Sequence, residues 1–117
     1  MENIIEAKSF DFAVRIVKLY RYLTNEKNEH ILSKQLLRSG TSIGANVAEA
    51  ERGQSKADFY AKINIALKEA CETQYWIRLL YKTEFLSEQE FSSIEADINE
   101  IISILTAISK TNNNNLK

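Results

Sequence analysis

Few residues in this chain can do covalent or metal chemistry. There is one histidine, His30, and one cysteine, Cys71. A di-iron carboxylate site in a helical bundle needs two Glu-x-x-His motifs and two further Glu. The residue three before His30 is Lys27, which is not a ligand. One chain therefore cannot assemble such a site, no metal or cofactor is expected, and His30 reads as a solvated residue at a helix start. Cys71 has neither a second Cys nor a neighbouring His in sequence, and reads as core filling in an apolar helix. Ser39, Thr41 and Ser42 offer nucleophilic hydroxyls. A hydrolase also needs a base and an orienting acid. The single His lies in a different helical turn, and there is no nucleophile elbow. Phosphate-cradling G-x-G-x-x-G and G-x-x-x-x-G-K patterns are also missing from the sequence. The sequence predicts a protein that is not an enzyme and takes no small-molecule substrate.

The polar residues with helical spacing say more. Ser42, Asn46 and Glu49 stand at i, i+4 and i+7, and Arg38 lies four residues before Ser42, so all share one face. Glu69 and Glu72 lie one turn apart further on. Burying Asn46 or a Glu without partners costs several kcal/mol. Facing inward, these groups must form a satisfied network with a Lys or Arg. Glu69 reads equally well as solvated. Another use is polar specification of helix register or subunit pairing. Charge is uneven. Residues 1–62 hold ten Lys plus Arg against eight Asp plus Glu, a balance of +2, while residues 63–117 hold five against eight, a balance of −3. Lys8, Arg15, Lys18 and Arg21, followed by Lys34 and Arg38, are the candidate contacts to RNA or DNA phosphates. The competing reading of such a run is a solvated face.

Four elements must position these groups. The chain has 117 residues, of which 44% are apolar and 26% charged, with three Gly, no Pro and a formal charge of −1. That length suggests one domain with a core of its own. One Cys excludes an internal disulfide and points to a reducing, cytoplasmic compartment. No apolar run approaches the roughly 18 residues needed to span a bilayer. A first helix is expected from about Ser9 to Leu23, with Ala13, Ile16, Val17, Tyr20 and Leu23 as its stripe. A second runs from about Glu29 to Glu51 on Ile31, Leu32, Leu36, Ile43, Val47 and Ala50. Gly40 and Gly44 interrupt it, each costing about 1 kcal/mol against Ala, which signals close backbone approach, a kink or a break. Gly53 is expected to supply a left-handed turn. Ser55 caps a third helix, carried by Phe59, Ile63, Ala66, Ala70, Ile77 and Leu80 to about Lys82. Ser87 and Glu90 form a capping box for a fourth, whose seam Phe91, Ile94, Ile98, Ile101, Leu105 and Ile108 reaches about Lys110. Residues 111–117, with Asn112 to Asn115, read as a frayed polar tail. No segment alternates with period two. The expected fold is all-α, an antiparallel up-down-up-down four-helix bundle over residues 1–110.

One segment has more apolar surface than a single core needs. Six of the seven residues from Tyr75 to Tyr81 are apolar or aromatic, where a helix facing one core needs about three or four. Either this helix is buried centrally or Trp76 and its neighbours form a subunit interface. Aromatic enrichment at interfaces favours the second.

The stretch from Leu36 to Ala50, LLRSGTSIGANVAEA, resembles the signature R-x-x-x-S-I-x-x-N-[IV]-x-E-[GA] of the four-helix bundle family also called the 23S ribosomal RNA intervening-sequence protein family. Gln54 to Phe59, Ile65 to Ala70 and Glu72 to Leu80 extend the match, so it covers roughly residues 9 to 108. The resemblance implies an up-down bundle assembled as a ring-like homopentamer. It implies structural or interface roles for Arg38, Ser42, Asn46, Glu49 and Glu72, with Trp76 joining them as an interface aromatic. No catalytic residues are established for the family. A related group, the accessory variability determinants of diversity-generating retroelements, are basic pentamers that bind nucleic acid. This chain departs from that group in lacking strong positive charge, and from the wider family in carrying Gly44 for a common Pro and Ala50 for a common Gly.

Overall fold

The structure, a computed structural model, describes residues 3–115. Four helices run in order: α1 (Ile4–Asn25), α2 (Leu32–Glu51), α3 (Lys56–Lys82) and α4 (Glu88–Asn115). Each packs on its neighbours in sequence, and α4 returns to close on α1. The diagonal pairs, α1 with α3 and α2 with α4, bring no Cα atoms within 8 Å of each other. Side-chain pairs fix the direction of every seam. Lys62 meets Glu49 and Thr73 meets Ser39 across α2–α3, and Ser109 meets Asn64 while Arg78 meets Glu95 across α3–α4. Lys8 meets Glu100 and Arg15 meets Asp97 across α1–α4. Rising numbers on one helix always face falling numbers on the next, so the bundle is antiparallel, up-down-up-down. It measures 48 × 24 × 22 Å.

The helix starts show why the chain folds in these places. Ser55 Oγ accepts from the Asp58 amide at 3.1 Å and opens α3. At α4 the Ser87 hydroxyl accepts from the Glu90 amide at 3.1 Å, and Glu90 accepts from the Ser87 amide at 2.8 Å, the expected capping box. The start of α1 differs from expectation. The Asn3 side chain caps it by accepting from the Ile5 and Glu6 amides. Ser9 is therefore not a start but a buried residue one turn and a half inside. The buried line of α1 is Ile5, Ser9, Phe12, Ile16 and Leu23, which turns Ala13, Val17 and Tyr20 to its flanks. At α2, Glu29 is the cap, and Ile31, expected in the core, is 77% exposed. The Glu29 carboxylate accepts from the amides of Ile31, Leu32 and Ser33 at 3.1, 3.0 and 2.6 Å.

Gly53 does not take a left-handed conformation, because no glycine has positive φ among the described residues. A Cβ there would be crowded, 3.2 Å from the Ala50 carbonyl oxygen and the Phe59 nitrogen. The left-handed positions are Asn28 (φ 54°) and Glu84 (φ 71°), one in each turn at the opposite end. Gly40 and Gly44 do mark close approach. A Cβ on Gly40 would stand 2.9 Å from Ile16, and one on Gly44 3.1 Å from the Ser9 carbonyl oxygen. Small residues here let the backbones of α1 and α2 come together. α4 continues helically to Asn115, past the tail boundary expected at Lys110, and Leu116 and Lys117 lie outside the described residues.

Candidate functional site

The signature residues of α2 and α3 come together along one half-exposed seam. Arg38 projects from α2 between two carboxylates of α3. Its Nη1 lies 3.4 Å from Glu69, and its Nη2 donates to Glu72 Oε2 in a close ion pair. Trp76 Nε1, one turn beyond Glu72, donates to the same Glu72 oxygen at 2.9 Å. Gln35 accepts from Arg38 Nε at 3.3 Å. One carboxylate thus binds a guanidinium and an indole, and the Arg offsets one of two negative charges. Beneath this layer the buried hydroxyls of Thr73 and Ser39 meet at 2.9 Å. The rest of the signature follows toward the end of α2. Ser42 Oγ donates to the Arg38 carbonyl at 2.7 Å, and Asn46 donates to the Ser42 carbonyl at 2.9 Å. Glu49 pairs with Lys62 at 3.2 Å. Arg38, Glu72 and Trp76 are joined, whereas Ser42 and Asn46 bond their own helix and Glu49 has a separate partner. Sequence reasoning did not find Gln35, although it stands three residues before Arg38 on the same helix, or Lys62, whose only signal was its register against Glu49 of α2.

The basic candidates do not share one face. Lys8 and Arg15 lie in the α1–α4 seam, held by Glu100 at 3.1 Å and Asp97 at 2.6 Å. Arg38 is engaged on the α2–α3 side. Lys18, Arg21 and Lys34 are exposed and form no ion pair among the described residues. The partners Asp97 and Glu100 come from α4, where spacing alone gave no sign of them.

The seven residues rich in apolar groups divide between directions. Ile77 and Leu80 are fully buried. Trp76 is half-buried and bonded to Glu72 of its own helix, and Tyr81 stacks on Phe91 of α4 with ring centroids 4.2 Å apart. Tyr75 is left 59% exposed, with Leu79 half-buried beside it. Cys71, expected as core filling, is exposed on the same side, because its position falls between the buried Ala70 and Thr73 and off their line.

Two carboxyls are shifted by the caps. Burial raises the Glu29 carboxyl, but the amides of Leu32, Ser33 and Ile31, helped by the Ser33 hydroxyl, outweigh it and hold it below its usual 4.5. The Ser87 amide holds Glu90 below 4.5 against a smaller effect of burial, with Tyr22, the Ser87 hydroxyl and the charge of Lys27 assisting. Both shifts belong to helix starts. Among the described residues no three His, Cys, Asp or Glu side chains are grouped to hold a metal, and no helix is long and apolar enough to cross a membrane.

The model of the 23S rRNA-intervening sequence protein family matches residues 1–107. The chain belongs to this family. Among solved structures it is similar to a protein of unknown function from the S23 ribosomal protein family of Bacteroides thetaiotaomicron. The two share 55% identity over 92% of this chain and 99% of the other, with a TM-score of 0.90. No curated protein matches the chain. The family match spans the Arg38–Glu72–Trp76 seam and nearly all of the four helices that build it.

Proposed function

We propose that this member of the 23S rRNA-intervening sequence protein family is a non-enzymatic scaffold that works as a homo-oligomer, the pentamer its family resemblance implies. The observation that carries this reading is the set of large apolar side chains left outside a complete core. Phe10 is 66% exposed and Tyr75 59% exposed, while Ile16, Ile43, Ile77 and Ile98 already fill the interior. Exposed aromatics of this size are what an assembling surface uses. The Arg38–Glu72–Trp76 group fixes the α2–α3 geometry on which that surface depends. We place the protein in the cytoplasm, where the unpaired, exposed Cys71 stays reduced. Sedimentation velocity at micromolar concentration tests the assembly. The expected result is a single species at about five times the 13.4 kDa protomer mass, and a monomer overturns the proposal.

A second reading, binding of RNA or DNA, is favoured by Lys18, Arg21 and Lys34, which are exposed and form no ion pair among the described residues. Three phosphate contacts predict that log affinity for duplex falls with log salt at a slope of about −2.7 per protomer. Binding that ignores salt, or no binding at low salt, overturns this reading.

A further inference from the structure

We propose that a cavity at the end of the bundle that carries Asn28 and Glu84 binds a nucleoside monophosphate, either free or as the unstacked end of an RNA strand. The inference goes beyond both readings above, since it uses none of the side chains on which they rest.

The cavity opens where α1 and α3 end and α4 begins. Its volume is about 530 Å³, within the roughly 300–1,000 Å³ of small-ligand sites. Tyr22 and Lys27 line it from the end of α1, Tyr81 and Lys82 from the end of α3, and Glu84 and Ser87 from the link into α4. Lys27 Nζ stands 5.7 Å from the centre of the Tyr22 ring, and Lys82 Nζ 5.9 Å from the centre of the Tyr81 ring. Neither lysine forms an ion pair among the described residues. An aromatic face holds an ammonium group less strongly than a phosphate does, so both cations are open to exchange for an anion.

The lining matches the three parts of a nucleotide. Phe91 backs the Tyr81 ring, with centroids 4.2 Å apart and planes 10° apart, and so braces it as a platform. Stacking on such a ring accepts any base. Lys27 and Lys82 meet the phosphate. Ser87 assists them, because its oxygen accepts from the Glu90 amide while its proton is there to be donated. Glu84 is exposed and forms no ion pair among the described residues. It is an acceptor for ribose hydroxyls, the role an acidic residue has in dinucleotide sites. The other carboxylate, Glu90, is already engaged by the Ser87 amide at 2.8 Å and by the Tyr22 hydroxyl, at a helix start that favours its charge. Inorganic phosphate would leave the rings and Glu84 unused. A base stacked in a duplex cannot reach them.

The test is calorimetric titration of the full-length protein at low salt with adenosine 5′-monophosphate, adenosine and inorganic phosphate. The monophosphate is expected to bind at least about tenfold tighter than either of its parts, and a Lys27→Gln/Lys82→Gln double variant to lose about tenfold or more of that affinity. Lys68→Gln, on an exposed side chain midway along α3 and outside the cavity, is expected to change nothing. Far-ultraviolet circular dichroism of the double variant should match wild type, and the two single variants replace it if it does not. A short single-stranded oligoadenylate with a 5′-phosphate separates the two sources. Tenfold tighter binding than the mononucleotide supports the strand end, and equal or weaker binding supports the free nucleotide. No binding of the monophosphate, binding no tighter than that of inorganic phosphate, or binding that survives loss of both lysines overturns the proposal. None of these results bears on the assembly proposed above.

Discussion

The α2–α3 seam and the α1–α4 seam close the same bundle by different means. Across α2–α3 the packing is the most extensive in the molecule, and across α1–α4 it is the thinnest. The first has a buried hydroxyl pair, Ser39 with Thr73, and a carboxylate shared by Arg38 and Trp76. The second carries the ion pairs Lys8–Glu100 and Arg15–Asp97, whose carboxylates are more exposed than Glu69 and Glu72. Helices joined by a short link meet at little entropic cost, and small residues let them approach closely. Bringing the first and last helices together closes a much longer stretch of chain and costs more entropy. Exposed ion pairs there contribute little, typically under about 1 kcal/mol. Stability is thus concentrated in the seam that carries the family signature.

The largest expected effect lies in that seam. Trp76→Ala should cost about 3 kcal/mol, the low end for truncating a large aromatic, because the ring is only half-buried. Urea unfolding followed at several protein concentrations separates this loss from any loss of assembly. A cost below about 1 kcal/mol would remove Trp76 from the seam's stabilising groups. Arg38→Ala should cost about 1–2 kcal/mol, since it leaves Glu69 and Glu72 facing each other without their cation. A double-mutant cycle with Glu72→Gln should show coupling between the two. Additive losses would mean that the ion pair is only a surface contact.

Acid should weaken one helix of each seam. Glu29 caps α2 and Glu90 caps α4, and both carboxyls sit below 4.5 in the folded protein. Stability from these groups is fully present above about pH 4.5 and is lost as pH falls through the folded values. Glu29→Gln should cost about 1 kcal/mol at neutral pH, the usual worth of a cap. It should also flatten the pH dependence of the melting temperature below pH 4.5, and an unchanged slope would remove Glu29 from the acid response. The smallest effect is expected at α1–α4. Arg15→Ala should cost about 0.5 kcal/mol and should shrink in 1 M salt, where the pair with Asp97 is screened and only the hydrogen bonds to Ser93 remain. A loss as large as that of Arg38→Ala would erase the contrast between the seams.

Much of this architecture was legible in the sequence, for local reasons. Ser55 and the Ser87–Glu90 box announce α3 and α4 because their hydrogen bonds lie within three residues. The apolar repeat of α4 needs only helical period. The two glycines of α2 signal close approach because nothing else justifies their cost. What escaped detection depends on tertiary register or on an unusual cap. Glu29 caps with a carboxylate two residues before Ile31, so Ile31 looked like the first core residue and stands in solvent. Asn3 caps α1 six residues before Ser9, and the intervening turn carries the charged Glu6 and Lys8, which blur the apolar repeat there. Cys71 is apolar by type but falls off the buried line. The pairing of Arg38 with Glu72 was foreseeable as a need for a cation near carboxylates. The partners of Lys8 and Arg15 were not, because they lie more than 80 residues away.

The left-handed turns at Asn28 and Glu84 and the wedged Gly53 divide the bundle into two unlike poles. At one pole the residues Lys27, Asn28, Thr83 and Glu84 are exposed, and lengthening such turns costs little. At the other, Arg52 to Ser55 are exposed as well, but a Cβ on Gly53 would be crowded, 3.2 Å from the Ala50 carbonyl oxygen and the Phe59 nitrogen. Insertions and deletions among chains of this fold should therefore accumulate at the pole with the two left-handed turns. The Arg52–Ser55 link should keep its length through evolutionary drift, as the hinge pin on which the two hairpins are hung.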